Sequence, residues 1–408
     1  RGLGDVYKRQ GIDNNLSLES KRREIQKSKY GVSENRARLL PQISAVAGYS
    51  NNFDPPVSVT DGSSYGVPYN ITQTLQHSAN AGLEMQMPLF NQTLYTSMSI
   101  AKVVEEISRL SYGKAREDII LQISKMYYLG QVTAEQIVLI KANITRLEEL
   151  RDITRAFFDN GMSMEVDLKR VNINLENLKV QYDNAQAMMK QQLNMLKYIM
   201  DYPAEKEIAL TPVNTDSITT VALTGLSENL YELQLTQSQL ELAERQKRMI
   251  TNGYIPSLSL TGNWRYAAYT DKGYHWFHSG PSNHWFRSYG LGLTLRIPIF
   301  DGLDKTYKIR KAMIDIENRK LAWEDTRKNL QTQYLNAVND LMNNQRNFKK
   351  QKDNYLLAED VYAVTSDRYR EGIASMTEVL QDEMQMSEAQ NNYINAHYNL
   401  SLIHISEP

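Results

Sequence analysis

The chain has 408 residues, no cysteine and a formal net charge of −1, with 46 Lys and Arg against 47 Asp and Glu. That balance supplies no field for nucleic acid, and the missing cysteines exclude disulfides, thiolate catalysis and zinc–thiolate sites. No run reaches the roughly 18 apolar residues of a membrane helix, so a membrane-spanning form of this chain has to be a β-barrel.

The length suits two or three ordinary domains or one extended, duplicated body. Residues 1–10, starting at Arg1, and 403–408 do not continue the neighbouring pattern; both are expected to be non-native ends and are set aside. Asn15 to Leu40 predicts a polar helix that Pro41 ends. Ile43, Ala45, Ala47 and Tyr49 then alternate with Gln42, Ser44, Gly48 and Ser50, the period of a strand with one apolar face; Val46 alone breaks the wet side. Residues 51–76, rich in Asn, Asp, Pro, Gly and Ser, read as a long exposed loop. Ser78–Leu89, with Ala79, Ala81, Leu83, Met85, Met87 and Leu89 on one face, completes a hairpin over 41–90.

From Asn91 to about Phe158 no proline interrupts, which predicts about 100 Å of helix, a length that coiled-coil-like packing usually sustains. Asn160-Gly161-Met162-Ser163 predicts a tight turn with Gly at the helix end and a Ser cap beyond it. A return helix follows from Glu165 to about Met200, and 201–227 reads as a connector. The order then recurs: a polar helix over 228–251, a hairpin over 255–300, a long helix over Asp301–Arg370, the turn Glu371-Gly372-Ile373-Ala374-Ser375, and a helix from Thr377 to about Leu400. Pro41 pairs with Pro256, Pro88 with Pro298 and Gly161 with Gly372, at offsets of 215, 210 and 211. Two repeats are therefore expected, 11–227 and 228–402, each a helix, a β-hairpin and a long helical hairpin (91–200 and 301–400).

Strands of about ten residues with one apolar face match what a tilted strand needs to cross a bilayer. The alternative is a soluble sandwich. Glu84, Arg265 and Arg296 on the polar faces suit a water-filled lumen, and Tyr49, Trp264, Tyr266, Tyr269, Trp276, Trp285 and Tyr289 at strand ends suit an aromatic girdle. Four strands cannot close a barrel, and an open edge in lipid is forbidden, so several chains must share one barrel. The long helical hairpins likewise need neighbours for their apolar stripes.

Tyr369-Arg370-Glu371-Gly372-Ile373-Ala374-Ser375-Met376-Thr377-Glu378-Val379-Leu380, continuing into Ser387-Glu388-Ala389-Gln390-Asn391, resembles the signature of TolC-like outer membrane efflux proteins. So does Phe158-Asp159-Asn160-Gly161 through Asp167-Leu168, and the likeness covers nearly the whole chain. The resemblance implies a trimer with a twelve-stranded β-barrel in the Gram-negative outer membrane, continued by an α-helical barrel across the periplasm. It implies that the turns dock a hexameric periplasmic adaptor (membrane fusion protein), which links the duct to an inner-membrane pump of RND or ABC type. It also implies a periplasmic gate at Asp167, Glu378 and Tyr369. Ala374 stands where some members place a basic residue, and Gln381 where they have a second acid, with Asp382 adjacent.

Plainer readings stand beside these. Asp167 and Glu378 are also what a helix N-terminus favours, Tyr369 also serves as packing, and Gly161 and Gly372 are C-caps. His275, His278 and His284 share one loop with Trp276, Phe277, Trp285 and Phe286; an aromatic loop near lipid headgroups outweighs a metal site there. No nucleophile–base arrangement, phosphate loop or HExxH occurs, so neither an enzyme nor a cofactor is expected. The expectation is a passive outer membrane export duct of a tripartite efflux or type I secretion system. The alternative is a non-channel periplasmic coiled-coil protein, structural or adhesive.

Overall fold

The computed structural model describes residues 3–55, 57–60, 70–73, 75–211, 227, 229–270 and 285–406. The chain runs α1 (Leu3–Asn14), α2 (Leu16–Ala37), β1 (Gln42–Asn51), β2 (Val57–Thr60), β3 (Asn70–Gln73), β4 (His77–Phe90), α3 (Gln92–Asp159), α4 (Glu165–Ile199), α5 (Tyr231–Asn252), β5 (Ser257–Thr270), β6 (Trp285–Arg296), α6 (Asp304–Arg370) and α7 (Met376–Ser406). Among the described residues no helix is long and apolar enough to cross a membrane. The chain divides into two compact units. One comprises Ile25–Ser108 and Thr236–Ala322, the other Arg1–Glu24, Arg109–Leu235 and Trp323–Pro408.

The first unit holds a four-stranded antiparallel sheet in the order β1-β4-β5-β6. Because side chains alternate, a slip of one residue would flip a strand's apolar set to the wrong side. The observed register gathers all four polar faces together: Ser44 lies opposite Glu84, Glu84 opposite Asn263, and Asn263 opposite Gly290. Ala45, Leu83, Trp264 and Tyr289 form the next row, on the apolar side. Among the described residues nothing covers that side at β6, where Tyr289, Leu291, Leu293 and Leu295 are 75, 78, 67 and 61% exposed. Among the described residues β1 and β6 each pair on one side only. β4 passes through Pro88 with a register shift against β5, the irregularity expected where a residue has no N–H to give. β6 stops at Arg296, short of Pro298.

One sequence expectation changes here. Residues 51–76 are not loop throughout: β2 and β3 pair antiparallel from Val57↔Gln73 to Thr60↔Asn70. Val57-Ser58-Val59-Thr60 is a β-branched, alternating run that its Asn-, Pro- and Gly-rich surroundings hide from a composition-based reading. The polar helix expected from Asn15 is α2, and a further helix, α1, precedes it in residues that include the segment set aside above. Asn15 separates α1 from α2, its Oδ1 accepting the Leu18 N–H at 3.1 Å while its Nδ2 donates to the Ile199 carbonyl at 2.7 Å. Tyr7, in the segment set aside above, is buried and donates to the Ala209 carbonyl at 3.2 Å.

The second unit packs helices around stacked apolar cores. Leu147, Leu150, Val171, Leu175, Val379 and Leu380 belong to the core behind the interhelical turns; Ile119, Ile123, Leu196 and Met200 belong to another. The start of the connector folds back onto α3, where Gln131 Nε2 donates to the Thr211 carbonyl at 2.6 Å. Residues 212–226 and the His275–His284 loop lie outside the described residues. α3 and α6 are near equal in length, at 68 and 67 residues, yet differ in burial. α3 is mostly packed, whereas α6 exposes Tyr307, Ile314, Leu321, Leu335, Met342 and Leu356 at multiples of seven. α4 likewise exposes Val166, Ile173 and Val180.

Candidate functional site

Both interhelical turns use one backbone solution. At the first, Gly161 N–H donates to the Phe158 carbonyl at 2.9 Å and Met162 N–H to the Phe157 carbonyl at 2.8 Å. At the second, Gly372 N–H donates to the Tyr369 carbonyl at 2.9 Å and Ile373 N–H to the Arg368 carbonyl at 2.8 Å. This paired closure is the Schellman motif; it requires a left-handed residue, which glycine supplies. Gly161 and Gly372 have φ of +72° and +75°. A Cβ on either would meet nothing within 4 Å, so the constraint is backbone φ alone. Asn160 adds a bond from Nδ2 to the Ala156 carbonyl at 2.7 Å.

The helix starts after the turns differ. Ser375 N–H donates to Glu378 Oε2 at 2.9 Å, and Glu378 N–H donates to Ser375 Oγ at 3.3 Å. That is a reciprocal capping box. In the first turn the expected Ser163 cap is absent. α4 starts from Met164, which has no side chain able to cap, and Ser163 instead donates to Asp167 Oδ2 at 3.4 Å. Serine here lies one residue too early, because the N-cap follows each glycine by three.

Arg170 Nη1 donates to Asp167 Oδ1 and to Thr377 Oγ1, each at 3.3 Å, and so ties α4 to the start of α7. Asp167 and Glu378 share no hydrogen bond among the described residues, although each flanks that link. Tyr369 is 5% exposed and packs on Phe157 with ring centroids 5.5 Å apart. Its hydroxyl donates to Thr154 Oγ1 at 3.3 Å, and Thr154 passes the bond to the Leu150 carbonyl at 2.7 Å. Arg370 reaches Glu149 at 3.8 Å and Asp367 at 3.3 Å in solvent, pairs of little worth individually. Met162, Met164 and Ile373 are exposed, whereas Ala374 is buried in the core behind the turns.

A polar seam lies beneath this tip, and the sequence reading missed it. Glu383, Gln390 and His397 recur every seven residues on α7, and all three are buried. Gln390 Oε1 accepts from Asn143 Nδ2 at 2.7 Å, Asn143 Oδ1 accepts from Arg146, and His397 Nδ1 lies 3.3 Å from Glu135 Oε2. Burial pushes the Glu383 carboxyl above the ordinary glutamate range, and the Arg146 guanidinium partly offsets this. Glu383 Oε1, Arg146 Nε and Gln390 Nε2 have no hydrogen-bond partner among the described residues. The available signal was the seven-residue recurrence of polar side chains inside an apolar seam, where such residues fix helix register.

The three strand charges lie in the other unit, on the polar side of the sheet. Arg265 Nη2 donates to Glu84 Oε1 at 2.8 Å; Arg296 closes β6 opposite Ser257. Among the described residues no group of three or more His, Asp or Glu is arranged to hold a metal ion.

Known proteins carry the same organisation. TolC, an outer membrane protein of Vibrio cholerae, is 20% identical over 98% of this chain and 88% of its own. The probable efflux pump outer membrane protein TtgC of Pseudomonas putida is 24% identical over 83% of this chain and 71% of its own. Among solved structures, CusC superposes with a TM-score of 0.81 at 16% identity, covering 99% of this chain and 90% of CusC. The open-state outer membrane channel MtrE of Neisseria gonorrhoeae gives a TM-score of 0.76 at 17% identity, covering 99% and 87%. The chain thus has the fold of outer-membrane channels. The outer membrane efflux protein profile matches residues 9–200 and 222–404, and on that match this chain belongs to the outer membrane efflux protein family, whose members are channels in the outer membrane of Gram-negative bacteria.

Proposed function

We propose that the protein is the passive outer membrane duct of a tripartite efflux or type I secretion system and works as a homotrimer. Three chains contribute four strands each to one closed barrel in lipid, continued by a helical barrel in the periplasm. The observation that carries this reading is the uncovered apolar side of a sheet with two open edges. Such a sheet is stable in lipid only when it closes. The exposed heptad stripes of α4 and α6 supply matching surfaces for neighbouring copies. The chain itself is two structural repeats, 11–227 and 228–402, whose turns form the periplasmic tip. Asn160–Ser163 and Glu371–Ser375 dock a periplasmic adaptor, which couples the duct to an inner-membrane RND or ABC pump. Asp167, Glu378 and Tyr369 close the tip, with Arg170 replacing the basic residue that Ala374 lacks. Glu84, Arg265 and Arg296 line the barrel's water.

Light scattering of the detergent-extracted protein, with detergent subtracted, tests the reading. The expected mass is three times 46.9 kDa, recovered from outer membranes. Leu293→Arg is expected to abolish that recovery by placing a charge near mid-bilayer at about 2–4 kcal/mol. A soluble monomer would overturn the duct and favour a periplasmic coiled-coil protein.

A further inference from the structure

The polar side of the sheet carries three charges among the described strand residues, and they are not equivalent. Arg265 and Glu84 form one ion pair, with Nη2 and Oε1 at 2.8 Å. Glycine makes the pair possible. Gly82 lies directly opposite Arg265, and with no side chain at that position the guanidinium crosses to Glu84, two residue pairs along on the same face. Gly82 is also where β4 and β5 approach too closely for a Cβ, which would lie 2.4 Å from the Trp264 carbonyl oxygen. Two opposite charges in contact cancel at distances beyond their own separation, so Glu84 and Arg265 add little to the field across a lumen.

Arg296 is different. It is exposed, it ends β6, and its guanidinium makes no hydrogen bond or ion pair among the described residues. Around it the polar faces carry Gln42, Ser257, Ser259, Thr261 and Thr294, none charged. Resting on the trimeric duct proposed above, we infer that Arg296 is the residue that sets charge preference in the strand-lined section. Three copies form a ring of unpaired positive charge, and solutes carrying a net negative charge are favoured there over cations of similar size. Rings of arginine are the usual device of anion-preferring pores.

Reversal potentials across a planar bilayer under a KCl gradient test this, in salt near 0.1 M, where the screening length is about 10 Å. Arg296→Gln is expected to lower the chloride-over-potassium permeability ratio by about twofold or more. Glu84→Gln frees Arg265 and raises the ratio; Arg265→Gln frees Glu84 and lowers it. The double variant, Glu84→Gln with Arg265→Gln, returns to wild type, because a neutral pair is removed whole. A conducting channel whose Arg296→Gln ratio equals wild type overturns the assignment while leaving the duct intact. So does a double variant that moves the ratio as far as either single change. A trimer that inserts and never conducts, even when Asp167→Ala and Glu378→Ala remove the proposed gate, overturns the duct itself.

Discussion

Between Phe157 and Asp167, and again between Arg368 and Glu378, the chain closes the same two hydrogen bonds around a left-handed glycine. The side chains three residues before and three residues after that glycine nevertheless differ in kind. Tyr369 is buried with a hydroxyl partner, whereas Phe158, its counterpart, is 39% exposed. Ser375 closes a capping box, and Met164 caps nothing. Eleven residues after each glycine stand buried Glu383 and exposed Asn172. Backbone demands, which only glycine meets, recur in both turns. Side-chain demands come from neighbours, and here only the second turn is anchored by core and cap.

The comparison breaks first at the aromatic position. Tyr369→Ala is expected to cost about 3–5 kcal/mol, the usual range for emptying a buried aromatic site. Phe158→Ala should cost under about 1 kcal/mol, as a partly exposed side chain does. Denaturant unfolding of the detergent-solubilised protein measures both, and equal losses would erase the distinction.

Next comes the cap. Ser375→Ala is expected to destabilise by about 1 kcal/mol, and Met164→Ser to stabilise by a similar or smaller amount, by giving α4 the side-chain oxygen it lacks. If Met164→Ser proves neutral, Ser163 and Asp167 already satisfy that helix end.

The smallest effect is a slope. Burial raises the Glu383 carboxyl in the folded state, so between the unfolded and folded values the folded chain holds the extra proton. Stability from this group is therefore present at acid pH and lost as pH rises through the folded value. Glu383→Gln should flatten that fall and melt later than wild type at pH 8, while Asn172→Asp, at the exposed counterpart, should leave the pH profile unchanged. A wild-type profile that rises with pH over this window would mean that Arg146 outweighs burial.

Much of the fold was legible because it rests on periods. Alternation located the strands of the four-stranded sheet, and two glycines with their spacing located both turns. β2 was not legible from composition, since four residues of alternation are outweighed by some twenty loop-like neighbours. α1 was equally hidden, since its first residues do not continue the neighbouring pattern; the helix start expected at Asn15 is met, and the bonds of Asn15 to Leu18 and Ile199 mark it as the cap of α2. At the tip, residue types alone could not separate a docking surface from a helix start. Glu378 is held by Ser375, and Arg170 supplies a cross-link that no local motif announces, because Thr377 is 207 residues away in sequence.

The twin turns also bear on symmetry. In the proposed trimer the tip presents six turns around one axis. A partner that grips the backbone finds six interchangeable sites and can bind as a sixfold ring. A partner that reads side chains finds two alternating sets of three, one rigid and one yielding. Duplication within a single chain thus lets a threefold object receive a sixfold ring while keeping every second site free to change independently.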